Sequence, residues 1–257
     1  MNIDAIVFFD LDGTLCPDND LQVPPEVVAA FSGFRERRIL PIIASGRSLY
    51  EVRPLLKKLN VDSYILANGC YVVFQGTVIQ DYRLPAAIIE EVVRTARRHN
   101  QDVGFFNQAG YAVTGINSLT KQHIGSMKLA DTQINPDFYQ THGVNFLNIY
   151  LPAPQERIYQ DAFNDRLAFV RYAPLAVDVL PFAVSKSQAI DKLLAAGKVL
   201  GIPTYAFGDQ NNDLSMFANV DYGIAMNHAT AELQGVASYV AATDSGVLEG
   251  LQHYQLC

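Results

Sequence analysis

Ile6-Val7-Phe8-Phe9-Asp10-Leu11-Asp12-Gly13-Thr14-Leu15 is the stretch from which the rest of the chain can be read. Its apolar half, rich in β-branched and aromatic side chains, reads as a fully buried strand of a parallel sheet covered on both faces. The run then ends in two acids one residue apart. Open α/β sheets bind ligands in the crevice beyond the carboxyl ends of their strands, so Asp10 and Asp12 stand where chemistry is expected. Two carboxylates held close together raise a pKa or recruit a cation. As plain turn formers, Asp10 and Asp12 would only end the strand, with Gly13 making the turn.

Outward from this stretch, the helical spacing of Val27, Val28, Phe31 and Phe34 predicts a helix from about Pro24 to Arg38, with Pro25 in its first turn. Ile39 to Arg47 predicts a second buried strand ending in Ser45 and Gly46, and Ser48 to Leu59 a helix with Val52, Leu55, Leu56 and Leu59 inward. Tyr64 to Gly69 is a third short strand. This alternation predicts an α/β fold, a parallel sheet with right-handed crossovers. After Gly69 the rhythm breaks, and a hairpin is expected across Gln75-Gly76.

From about Arg83 the composition shifts. One helix to His99, the strand-like run GFFNQAGYAVT, polar and weakly periodic segments through Gly143, and further strand-like runs predict an α+β domain at 83–178 inserted into a core domain of 1–82 and 179–257. The parallel rhythm then resumes with a helix from about Ser187, the strand TYAFGD, the helix DLSMFANV, the strand YGIAM and two further helices. Polar or aromatic residues expected in loops of the insert, Tyr111, Lys121, His123 and Lys128, are candidates for contacting a substrate.

Composition narrows the function. The 257 residues are 49% hydrophobic and 18% charged, enough for a full core, and a net charge of −7 argues against nucleic acid, which needs clustered Lys and Arg. A small anionic partner is compatible, because a metal or a few local cations outweigh an overall negative field. The longest apolar runs fall short of the roughly 18 residues of a membrane span, and the chain opens with a strand, so a cytoplasmic protein with no membrane partner is expected. Cys16, Cys70 and Cys257 share no metal-ligand spacing, in keeping with a reducing compartment. The sequence sets no oligomeric state.

Three further motifs fall at the same sheet edge. Ser45-Gly46 stands between a strand and a helix, where a hydroxyl and backbone amides can hold a phosphate oxygen; alone, such a pair is usually just a turn and cap. Lys186 stands at a helix start, where a cation opposes the dipole and has no local use. Gly208-Asp209-Gln210-Asn211-Asn212-Asp213 ends another strand. Asn212 or Asp213 there can serve as a helix cap, but Asp209 repeats the strand-end position of Asp10. Asp10, Asp12, Asp209 and Asp213 beside Lys186, Ser45 and Asn212 call for a hard divalent cation, and oxygen ligands with few protein contacts favour Mg²⁺ bound together with substrate phosphate.

The order DLDGT (Asp10 to Thr14), ASGR (Ala44 to Arg47), Lys186 and GDQNND (Gly208 to Asp213) resembles the haloacid dehalogenase superfamily. The insert between the second motif and the lysine is similar to that of the Cof-type subgroup, with a C2-type, C2B-like α+β cap. The resemblance implies a Rossmann-like core and a Mg²⁺-dependent phosphatase acting on small phosphorylated metabolites such as sugar phosphates. It implies Asp10 as nucleophile, forming an aspartyl-phosphate, and Asp12 as general acid and then base, with a raised pKa supplied by neighbouring carboxylates. It implies Mg²⁺ on the Asp10 carboxylate, the Asp12 carbonyl and Asp209, with Asp213 behind them. Ser45, Gly46, Lys186 and Asn212 would hold phosphoryl oxygens, Arg47 would reach substrate, and the cap would close over the site and set specificity.

The chain departs from the family pattern twice. Ser187 follows the lysine where Gly is common, and can cap the helix. Ala225-Met226-Asn227-His228-Ala229 stands where Ala-Met-x-Asn-Ala is frequent, so either the Asn has moved one place or His228 takes its position. Two other functions fit the same motifs, a hexose phosphomutase and a non-catalytic sensor of a phosphorylated ligand.

Overall fold

A computed structural model of the chain describes residues 3–18, 20–127, 129, 132–182 and 184–257. The chain divides into two compact units, Met1–Arg47 with Glu51–Gln80 and Ser185–Cys257, and Ser48–Tyr50 with Asp81–Val184. The expected boundaries, 82/83 and 178/179, lie a few residues away. Strand pairing holds the stretch up to Pro181 in the second unit. No helix among the described residues is long and apolar enough to cross a membrane.

The chain runs through β1 (Ala5–Phe9), α1 (Pro25–Phe34), β2 (Ile39–Ala44), α2 (Leu49–Leu59), β3 (Tyr64–Leu66), β4 (Tyr71–Phe74) and β5 (Thr77–Asp81). The insert follows as α3 (Ala86–Arg98), β6 (Val103–Phe106), β7 (Tyr111–Val113), α4 (Ser118–Ser126), β8 (Gln133–Ile134), α5 (Phe138–Thr141), β9 (Phe146–Tyr150), α6 (Arg157–Phe163), β10 (Leu167–Ala173) and β11 (Ala176–Pro181). The return comprises α7 (Lys186–Gly197), β12 (Thr204–Gly208), α8 (Leu214–Phe217), β13 (Tyr222–Ala225), α9 (Ala231–Val236), β14 (Tyr239–Val240) and α10 (Gly246–His253).

The first unit is built on one sheet in the order β14-β13-β12-β1-β2-β3-β4-β5, parallel from β14 to β3. All five residues of β1 are buried, as a strand covered on both faces requires. On one face Ile6, Phe8, Ile42 and Ala206 pack with Ile190 and Leu193 of α7 and Met216 of α8. On the other, Phe9 lies with ring centroids 5.0 Å from both Phe31 and Phe207, and Phe34 packs 5.0 Å from Phe31. The aromatic spacing that predicts α1 is thus the spacing that buries Val27, Phe31 and Phe34. β1 pairs with β2 on one side and with β12 on the other, so the strand order reverses around it. Such a switch point leaves a crevice beyond the strand ends, and Asp10 is the first residue into it. The hairpin β4–β5 turns through Gln75 and Gly76, both at positive φ, as a two-residue hairpin turn of type I′ needs.

The second unit carries a six-stranded sheet, β10-β11-β9-β6-β7-β8, antiparallel except for β7–β8. Here the sequence reading needs correction. GFFNQAGYAVT is two paired strands, β6 and β7, and the weakly periodic region after it contains a nine-residue helix, α4. Local capping specifies that helix: the Asn117 side chain accepts from the N–H groups of Leu119 and Thr120. Two of the residues expected in loops are buried in regular structure, Tyr111 in β7 and His123 in α4 with its Nε2 2.9 Å from the Tyr172 hydroxyl. Lys121 is exposed on α4, and Lys128 lies outside the described residues.

Phe34→Ala removes a buried ring that packs against Phe9 and Phe31. It is expected to cost about 3–5 kcal/mol of stability, read as a lowered midpoint of chemical denaturation.

Candidate active site

Each strand around the switch point delivers one part of a polar cluster. β1 ends at Phe9, and Asp10 donates its N–H to the Phe207 carbonyl of β12 (3.0 Å). The chain then folds tightly: the N–H groups of Thr14 and Cys16 both bond to the Leu11 carbonyl, and Gly13 N–H bonds to the Cys16 carbonyl. Gly13 has φ +84°, and a Cβ there would lie 2.2 Å from Asp209 Oδ2, so only glycine fits between this loop and the end of β12. Thr14 Oγ1 donates to Asp209 Oδ1 at 3.3 Å across the same gap.

Lys186 organises the cluster. Ser185, whose side chain accepts from Gln188 N–H, caps α7 and sets Lys186 as the first helical residue. Ser187, expected as the cap, instead accepts a hydrogen bond from the Asn219 side chain. The lysine that had no use on its own helix is almost wholly buried, and its Nζ donates to Asp10 Oδ1 (2.7 Å) and Asp213 Oδ1 (2.8 Å). Burial opposes the ammonium charge, but Asp10 and Asp213 outweigh it and hold the group above its ordinary range. The remaining oxygen of Asp213, Oδ2, accepts from the N–H groups of Asp209 (3.1 Å) and Gln210 (3.3 Å). Asp213 therefore has both oxygens engaged; Gln210 stands at the cap of the turn Asn211–Asp213, and Asp213 stands at the N-cap position of α8 without a side-chain cap bond.

Three carboxylates, Asp10, Asp209 and Asp213, have oxygens within 4.8 Å of one another, and all three residues are buried. Burial, then the charge of Asp213, pushes the Asp10 carboxyl well above its ordinary range against the pull of Lys186. The same two causes push Asp209 up to about 6. Three buried acids against one buried ammonium form a hard-oxygen site with excess negative charge, which fits a hard divalent cation.

Asp12 has a different neighbourhood. Arg47 grips its carboxylate with two parallel bonds, Nε to Oδ2 and Nη2 to Oδ1, both 2.7 Å, while Glu51 Oε1 lies 3.6 Å from Nη1. The expected carboxylate surroundings of Asp12 are thus replaced by a cation, and Arg47, expected on substrate, is engaged with Asp12. Cys16 beside this pair is a fully buried thiol that burial and the Asp12 charge push up to about 12, so it is a poor nucleophile.

Ser45 is buried at the end of β2, where its Oγ accepts from Arg47 N–H at 3.2 Å. Gly46 passes so close to Asn68 that a Cβ would lie 3.2 Å from Asn68 Nδ2. Asn212 is exposed on the turn before α8. The structure therefore gathers Asp10, Asp209, Asp213 and Lys186 in direct contact or within a few ångström, and pairs Asp12 with Arg47. Thr14, Glu51 and Asn68 were absent from the sequence expectation. Thr14 belonged to the DLDGT motif and had a usable signal; Glu51 and Asn68 are selected only by tertiary proximity.

The family model for haloacid dehalogenase-like hydrolases matches residues 7–251. A Bacillus subtilis (strain 168) protein, YkrA, whose name assigns it provisionally as a phosphatase, is 32% identical over 236 residues covering 91% of each chain. A hypothetical protein from Geobacillus kaustophilus HTA426 has a solved structure that superposes with a TM-score of 0.89 at 29% identity, over 98% of this chain and 99% of that one. The haloacid dehalogenase subclass IIB sugar phosphatase BT4131 shares the fold, with a TM-score of 0.85 at 21% identity over 98% and 100% of the two chains. The chain belongs to the haloacid dehalogenase-like hydrolases. As an enzyme it is a hydrolase of the phosphatase type, with an α/β core interrupted in sequence by an α+β insert.

Two outcomes follow from this charge arrangement. Lys186→Met leaves Asp10 and Asp213 buried without their shared cation. An unfolding free energy lower by about 3–5 kcal/mol is expected, read by chemical denaturation at neutral pH. Asp209 holds in the folded state a proton that the unfolded chain releases near 3.8, so its contribution to stability falls as pH rises from there to about 6 and stays lost above. A divalent cation needs the ionised form. It should therefore raise the thermal midpoint more at about pH 7.5 than at about pH 5.

Proposed function

We propose that the protein is a Mg²⁺-dependent phosphatase that hydrolyses small phosphorylated metabolites, sugar phosphates among them, through an aspartyl-phosphate on Asp10. The observation that carries this reading is the pairing of Asp10 with Lys186 beside Asp209 and Asp213. A carboxylate meant only to end a strand needs no buried ammonium, no second acid at the next strand end and no third behind them. The phosphatase name of the Bacillus subtilis relative and the sugar-phosphatase description of BT4131 support the substrate class.

Asp10, the Asp12 carbonyl and Asp209 would hold Mg²⁺. Asp213, whose oxygens are spent on Lys186 and on two backbone amides, supports them from behind. The ion would neutralise charge on the phosphoryl oxygens and let an anionic nucleophile approach an anionic ester. An Asp10 oxygen attacks phosphorus and the ester P–O bond breaks, while Asp12, protonated once one of its two bonds to Arg47 opens, gives its proton to the departing alkoxide. Asp12 then takes a proton from water as that water attacks phosphorus, the acyl-phosphate bond breaks, and inorganic phosphate and free Asp10 result. Ser45, Gly46, Lys186 and Asn212 hold the phosphoryl oxygens, with Lys186 already aimed at the reacting carboxylate. Arg47 holds the Asp12 side chain in place beside Asp10.

Asp10→Asn keeps the shape of the side chain and a hydrogen-bonding oxygen for Lys186 but removes the nucleophile. Hydrolysis of an aryl phosphate in Mg²⁺ should fall to background, with an unchanged circular-dichroism spectrum; turnover retained in this variant would overturn the assignment of Asp10.

A further inference from the structure

The loop between β13 and α9 places an imidazole against the catalytic loop, and nothing in the mechanism above uses it. The backbone of this loop is anchored at both ends to the terminus of β12. Met226 N–H bonds to the Gly208 carbonyl (3.1 Å) and Thr230 N–H to the Asp209 carbonyl (2.9 Å), while Ala229 N–H closes the turn onto Met226. Met226 and Ala229 are buried, and Thr230 Oγ1 donates to the side chain of Asn211 at 2.6 Å. The position of His228 is therefore set by β12 and β13, independently of the loop after β1. From there its Nε2 reaches the Gly13 carbonyl at 2.9 Å. A carbonyl only accepts, so Nε2 carries the proton and donates. The neighbouring Asn227 is held in turn, its Nδ2 donating to Asp244 Oδ1 at 2.8 Å, its Oδ1 lying 2.9 Å from His228 Nδ1 and its backbone carbonyl accepting from Gln234.

Gly13 is the residue where this contact matters most. The loop after β1 passes Asp209 closely here, and the missing Cβ of Gly13 makes room for Asp209 Oδ2. The next residue, Thr14, donates to Asp209. His228 Nε2 itself lies 3.9 Å from Asp209 Oδ2. A strut fixed to the β12–β13 side thus grips the β1 loop at the turn that packs against Asp209. Its side chain is half exposed, so it contributes little to core packing.

We propose that His228 is a positioning residue: by donating from Nε2 to the Gly13 carbonyl, it fixes the spacing between the loop after β1 and Asp209, and so the affinity of the carboxylate site for its divalent cation. The proposal rests on the phosphatase reading of that site. It assigns His228 no contact with substrate and no proton transfer.

The test uses the full chain and three variants. His228→Ala removes the donor. In His228→Gln the side-chain amide nitrogen lies about as far from Cβ as Nε2 does, and in His228→Asn the amide is too short to reach Gly13. Metal binding is read without substrate, from the rise of the thermal midpoint with added Mg²⁺, and kcat and KM are read separately with an aryl phosphate. His228→Ala and His228→Asn are expected to need about ten-fold more Mg²⁺ for the half-maximal thermal shift and for half-maximal rate, with KM at saturating Mg²⁺ close to wild type; His228→Gln is expected to restore most of the loss. In the absence of metal, all three should melt within a few degrees of wild type. Unchanged Mg²⁺ dependence in His228→Ala, or a loss in His228→Gln equal to that in His228→Ala, would overturn the proposal. Failure of the wild-type protein to hydrolyse any phosphate ester would overturn the phosphatase reading instead, and the metal titration would still report on His228.

Discussion

A single ammonium group held between two buried carboxylates is the constraint to which the site conforms. Lys186, Asp10 and Asp213 come from three places far apart in the chain, and each is costly to bury alone. Taking one charge from water into a protein interior costs several kcal/mol unless partners repay it, so the three side chains are admitted together. Their meeting also fixes the relative positions of the end of β1, the start of α7 and the turn after β12. Two backbone amides on Asp213 Oδ2 extend the constraint to Asp209.

The constraint leaves the charges unbalanced. Asp209 adds a third buried acid, and Lys186 is shared between Asp10 and Asp213. Burial, and then the charge of Asp213, pushes the carboxyls upward, Asp209 to about 6, in a cluster whose oxygens could hold a metal ion. Asp12 is excluded from this environment. Two residues after Asp10, it meets a guanidinium that offers two parallel hydrogen bonds, and it stays half-buried where Asp10 is buried. The neighbouring acids therefore differ in both cation and solvent access, a separation consistent with the distinct roles proposed for them.

The architecture and most of the cluster were legible in the chain itself. The buried run before Asp10, the alternation of strand and helix through Leu66, and the aromatic spacing of α1 led directly to the parallel sheet, because period and burial are local properties of sequence. Asp10, Asp209 and Lys186 stood out because each contradicts its local setting: an acid closing a buried strand, a second one doing the same, and a cation at the wrong end of a helix. The insert was harder. α4 is a polar helix specified by the Asn117 cap more than by an apolar stripe, so periodicity passed over it, and with it the burial of His123.

The sequence by itself determined which residues reach the carboxyl edge of the sheet, since strand termini and helix starts are written in local pattern. Only the tertiary structure decided which of them touch. That Lys186 joins Asp10 to Asp213, that Arg47 holds Asp12, that Ser185 and not Ser187 caps α7, and that His228 reaches Gly13 all depend on strand order and loop path. The physical reason is that hydrogen bonds and ion pairs are settled within about 3 Å, a distance set by packing between segments that the chain separates by as many as 215 residues.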